Sequence, residues 1–71
     1  MIEVRIRHED DENAIHFANV DNFSDCQILI EDIHTQGGVY FSNYSQKFPY
    51  IERQYVVENG HSYIELIFGK E

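Results

Sequence analysis

The chain has one cysteine, one proline, one methionine and no tryptophan among its 71 residues. A single thiol, Cys26, excludes an intramolecular disulfide framework and any cysteine-rich zinc site. It fits a reducing compartment, so a cytoplasmic location is expected. Basic residues are scarce as well: five Lys and Arg stand against thirteen Asp and Glu, a net charge of −8. Nucleic-acid binding relies on cations that displace counterions from phosphates, so no direct nucleic-acid contact is expected. Anionic membrane surfaces are disfavoured by the same repulsion. No apolar run approaches the roughly 18 residues of a membrane span, and Met1-Ile2-Glu3-Val4-Arg5 contains no apolar leader segment.

Hydrophobic residues make up 42% of the chain, and five Tyr with five Phe argue against disorder. The length suits one small domain spanning residues 1–71, with room for a single modest core. Charge is distributed unevenly. Residues 1–32 carry Glu3, Glu9, Asp10, Asp11, Glu12, Asp21, Asp25, Glu31 and Asp32 against Arg5 and Arg7. Residues 33–51 have no acid, but hold Tyr40, Phe41, Tyr44, Phe48 and Tyr50 beside Lys47. An acidic surface next to a charge-poor aromatic segment suits a protein that binds through its surface. Long-range attraction favours a basic protein partner and mainly raises the association rate.

Ile2 to Arg7 alternates apolar and charged residues with period two, which predicts a half-buried strand with Ile2, Val4 and Ile6 inward. His8 to Asn13 reads as an acidic connection. Ala14 to Val20 reads as a second strand, in which Val20 falls out of phase with Ile15 and Phe17, so a bulge near Asn19 is expected. Residues 21–36 admit two readings. As a helix, Ser24 or Asp21 caps it, Cys26, Leu29, Ile30 and Ile33 line one face, and Gly37-Gly38 ends it. As a strand, the β-branched Ile28, Ile30 and Ile33 favour a pleated setting. The strand reading is preferred, joined by a turn to a further strand over residues 39–44.

Asn59-Gly60 predicts a two-residue hairpin turn with both positions at positive φ. The register follows from that turn: Glu58 opposes His61, Tyr55 opposes Ile64 and Glu52 opposes Ile67. Ile51, Tyr55, Val57, Ile64, Leu66 and Phe68 then form the core face, and Val56, Tyr63 and Ile67 lie on the polar one. The expected fold is all-β, a small antiparallel meander or barrel of five to six strands with this C-terminal hairpin. The alternative is α+β with one helix at residues 24–36.

No catalytic constellation is present. Cys26 lacks an orienting base motif and reads as a small buried hydrophobe. His8, His16, His34 and His61 show no metal-ligand spacing, and Glu9 to Glu12 lacks the glycine and spaced ligands of a calcium loop. No enzyme activity, cofactor or metal is expected. The candidate partner-binding residues are Glu9, Asp10, Asp11 and Glu12 as an electrostatic surface, with Tyr40, Tyr44 and Tyr50 as amphipathic contacts. The function these features favour is that of a small acidic, non-catalytic binding protein acting by protein–protein contact. In its sharper form it is a nucleic-acid mimic of the phage or mobile-element inhibitor type, its carboxylates standing in for phosphates. The rival is a self-assembling structural subunit, a homo-oligomer built through strand edges and an exposed Val56, Tyr63 and Ile67.

Overall fold

The computed structural model describes residues 1–42 and 44–69. Its elements in chain order are β1 (Ile2–His8), β2 (Ile15–Val20), α1 (Phe23–Thr35), β3 (Val39–Tyr40), β4 (Lys47–Phe48), β5 (Tyr50–Glu58) and β6 (His61–Phe68). Four strands form one sheet in the order β2-β1-β6-β5, while β3 and β4 pair separately. β1 runs parallel to β6, and the other neighbours are antiparallel.

This arrangement corrects the expected meander or barrel: the sheet is mixed and open. The reason lies in β6, where Tyr63 to Phe68 are all buried. A strand covered on both faces belongs in the middle of a sheet. β1 supplies the missing neighbour, with Val4 opposite Ile64 and Ile6 opposite Leu66. Tyr63 and Ile67, expected on an exposed polar face, are only 6% accessible each. The Arg5 guanidinium lies 4.0 Å from the Tyr63 ring centroid and covers it.

The preferred strand at residues 24–36 is also corrected, since this stretch is helical. Asn22, not Ser24 or Asp21, is the cap, its Oδ1 accepting the Asp25 N–H at 2.9 Å. At the other end Gly37 has φ +84°, its N–H donates to the His34 carbonyl, and the Gly38 N–H donates to that of Ile33. These paired bonds are a Schellman stop. Cys26, Ile30 and Ile33 are buried, Leu29 packs beside them, and Ile28 is 55% exposed. The helix-spaced stripe is therefore the face that seals the sheet. Its burial and two good caps outweigh the few tenths of a kcal/mol that each isoleucine costs a helix.

The expected strand over residues 39–44 is cut to Val39–Tyr40, paired with Phe48 and Lys47. Phe41 leaves the strand and enters the core with Val4, Ile6, Phe48, Leu66 and Phe68. The hairpin register holds from Glu58–His61 to Glu52–Ile67, and Asn59 and Gly60 have φ of 52° and 76°. Beyond Glu52 a bulge at Ile51 gives the core position to Tyr50, whose ring meets Phe68 at 6.0 Å. Tyr55 and Val57, expected to be buried, are 60% and 68% exposed, because β5 is an edge that α1 does not fully cover. β2 does carry a bulge, but at Phe17 and not near Asn19 as expected, since Val4 pairs with Ala18 and Arg5 with His16. It restores Ile15 and Val20 to the same face.

Candidate functional site

The acidic connection is shaped by the residue that precedes His8. Arg7 extends from β1 over the open face of the sheet and binds Glu65 Oε1 through Nε at 2.9 Å. Its Nη1 donates to the Asp11 carbonyl at 2.9 Å, with longer contacts to those of Glu9 and His8. One guanidinium thus meets the polar demands of three loop carbonyls and a buried carboxylate, the Glu65 side chain being 7% accessible. Gln54 also donates to Glu65 Oε1, at 2.8 Å. Arg7 holds the loop by its backbone and leaves the Asp10 side chain outward, 78% accessible.

His8 continues the inward parity of Ile2, Val4 and Ile6 and is 3% accessible. This corrects its placement in the acidic connection: His8 is the last residue of β1. The ring stacks on Tyr44 at 4.5 Å and 20°, and meets the edges of Phe48 at 4.3 Å and Phe41 at 5.9 Å. Its Nδ1 accepts the Asp10 N–H at 3.1 Å, which places the neutral ring's proton on Nε2. That Nε2 is buried without a hydrogen-bond partner among the described residues. Tyr44 brings its hydroxyl to 3.5 Å from Nδ1. Burial raises the Tyr44 phenol above its usual range, and the Asp11 and Asp10 charges add to the shift.

Two neighbouring hollows result. The larger, about 560 Å³, has Asp10, Asp11, Glu12 and Asn13 along its rim, with Ile6, Ile15, Phe41 and Ser42 completing the lining. The smaller, about 210 Å³, lies among His8, Asp10, Tyr44, Gln46 and Phe48 and shares Asp10 with the first. Of the expected partner-binding residues, Asp10, Asp11, Glu12 and Tyr44 therefore come together. The Glu9 side chain packs against Gly69, where an added Cβ would meet its Cγ and carboxyl. Tyr40 is 64% exposed beneath the Lys47 ammonium, and Tyr50 packs on Phe68; neither lines these hollows. Asn43 of the aromatic segment lies outside the described residues.

Sequence reasoning missed His8, Arg7 and the apolar floor of Ile6, Ile15 and Phe41. The signal for His8 was available in its even-numbered parity with Ile2, Val4 and Ile6.

Elsewhere on the open face, Glu3 accepts from Arg5 Nε at 3.0 Å and bonds His61 Nε2 at 2.7 Å and His16 Nδ1 at 2.9 Å. These bonds, the one from Arg5 foremost, hold its carboxyl down at about 2. The expected cross-strand pair of His61 with Glu58 exists in the backbone register, while the His61 ring turns to Glu3. No group of three or more His, Cys, Asp or Glu among the described residues is arranged to hold a metal ion. Cys26 is wholly buried, and desolvation raises its thiol above the usual value. No helix among the described residues is long and apolar enough to cross a membrane.

Comparison with protein-family models, curated proteins and solved structures finds no match to this chain.

Proposed function

We propose that this protein is a small non-catalytic binding protein that docks the 10–12 carboxylates onto a basic surface of a protein partner. The cleft between the acidic connection and Phe41 carries this reading, because it combines a carboxylate rim with an apolar floor. A lysine or arginine needs both, since its stem is apolar and its head is charged. Three of the basic side chains are already engaged. Arg5 is bound to Glu3, Arg7 to Glu65 and the loop carbonyls, and Lys47 to the Gln36 carbonyl at 2.8 Å. Tyr44, beside the rim, adds a flat amphipathic contact. In the sharper form of the proposal, the partner's basic surface is a nucleic-acid groove and the carboxylates occupy phosphate positions.

The test compares the native chain with one carrying Asp10→Lys, Asp11→Lys and Glu12→Lys, measured against partners captured from the native host. Each rim contact is worth about 0.2–1 kcal/mol, so the triple reversal should weaken binding by up to about two orders of magnitude. Affinity of the native chain should fall between low and moderate salt. Equal affinity for both chains, or binding indifferent to salt, would overturn the proposal. Displacement of the protein by duplex DNA distinguishes the mimic from a contact elsewhere on the partner.

A further inference from the structure

We propose that β5 is a self-pairing edge, through which two copies of this chain join their sheets antiparallel about a two-fold axis at Gln54. The two edges of the four-stranded sheet differ. β2 is six residues long and interrupted by its bulge at Phe17, a device that discourages edge pairing. β5 is nine residues long, and its regular part, Glu52 to Glu58, contains no proline, lysine or glycine. It also exposes Tyr55 and Val57, with Ile51 at 38%. An apolar hollow of about 270 Å³ adjoins it, lined by Phe23, Arg53, Gln54, Tyr55 and Ile64. A long edge with exposed apolar side chains is a template for another strand.

The backbone specifies which residues present hydrogen-bonding groups outward. In the two-residue turn the Glu58 carbonyl accepts from His61 N–H, so Glu58 and His61 form a hydrogen-bonded pair. Alternation then directs Val56, Gln54 and Glu52 towards β6, and leaves the N–H and C=O of Val57, Tyr55 and Arg53 pointing away from the sheet.

A two-fold antiparallel pairing that joins these free groups has few registers, and charge selects among them. An axis at Arg53 sets the two arginines opposite each other. An axis at Tyr55 opposes Glu52 to Glu58 twice. An axis at Val56 runs Arg53 and Glu52 onto the partner's turn and leaves Ile51 uncovered. An axis at Gln54 opposes Arg53 to Tyr55 of the second copy, a cation–π pairing made twice. It also sets Glu52 against Val56, and brings the Ile51 bulge towards Val57. No like charges stand directly opposite each other, and the second copy's Tyr55 falls beside the Arg53 that lines the apolar hollow. The occupant is therefore a second copy of this chain, selected by complementarity along β5 itself.

The experiment combines cross-linking with sedimentation of the full chain. Residues opposed at a non-hydrogen-bonded pair have Cα atoms about 4.5 Å apart, within disulfide reach. Gln54→Cys should therefore give a disulfide-linked dimer in a glutathione buffer. Val56→Cys should not, because that register separates the two Val56 by about 13 Å along the strand. Wild type should give none, as Cys26 is buried. Sedimentation should show a concentration-dependent dimer that strengthens with salt, since two chains of net charge −8 repel. That salt response is opposite in sign to the one expected for a basic partner, so the two interactions are separable. Val57→Lys, at an exposed position, should leave the circular dichroism unchanged and reduce the dimer at least tenfold. Cross-linking through Val56→Cys in place of Gln54→Cys would overturn the register. A monomer at all concentrations and salts would overturn the proposal.

Discussion

Substituting alanine at Gly37 and at Gly38 separates backbone strain from steric overlap at two adjacent residues. Both have positive φ, +84° and +112°. A Cβ on Gly37 meets nothing within 4 Å, so Gly37→Ala incurs only the left-handed penalty, about 1–2 kcal/mol. A Cβ on Gly38 would overlap the backbone carbonyl of Phe48, and Pro49 Cα lies 3.1 Å away. Relief requires β3 to move from β4, since backbone cannot rotate aside as a side chain does. Strain and overpacking together come to about 4 kcal/mol for Gly38→Ala. A chain of this size has a net stability of about 3–5 kcal/mol. Gly37→Ala should therefore remain folded with a lower urea midpoint, and Gly38→Ala should be largely unfolded in buffer. Urea titration followed by far-ultraviolet circular dichroism reads both. Equal midpoints for the two variants, or a Gly38→Ala within about 1 kcal/mol of wild type, would refute the steric argument. The same substitution disturbs the cleft, because β3 leads directly into Phe41.

Arg7→Met should cost about 3 kcal/mol by stranding the Glu65 carboxylate away from its cation, and the double variant Arg7→Met/Glu65→Met should recover part of that loss in thermal melts. Glu3 supplies a pH dependence of known sign. Its folded-state value of about 2 lies below the ordinary carboxyl value of 4.5, so its stabilisation is present above about 4.5 and is lost as pH falls towards 2. The stability gap between wild type and Glu3→Gln, measured by denaturation from pH 6 down to 2, should accordingly narrow across that window.

Some of the fold is legible locally. Asn59-Gly60 sets the hairpin register because a turn at positive φ leaves a strand pair few alternatives. The alternation in β1 correctly buries Val4 and Ile6, and followed two residues further it would have buried His8. The helix is masked in the sequence by the β-branched Ile28, Ile30 and Ile33, and its signature lies at the ends of the segment. Gly37-Gly38 marks a helix stop, and the apolar spacing from Cys26 to Ile33 fits one helical face. The parallel pairing of β1 with β6 has no local signature, since it joins segments separated by nearly the whole chain. Only the almost continuous apolar run from Tyr63 to Phe68 hinted at a strand covered on both sides. The cleft was half legible. Its carboxylates stand together in the sequence, whereas its floor is assembled from β1, β2 and the segment after β3. Arg7, which holds the acidic connection in place, looked like an ordinary outward residue of a strand.

The parallel join of β1 to β6 has a consequence for how the chain folds as it is made. β1 is synthesised before β6 and has only β2 beside it until the β5–β6 hairpin follows. Until then the edge that will carry Val4 and Ile6 against Ile64 and Leu66 is open. Closing it requires bringing together sequence-distant segments, which slows folding. Until it closes, the nascent chain exposes that apolar edge, and the negative charge of the flanking connection opposes association between such chains.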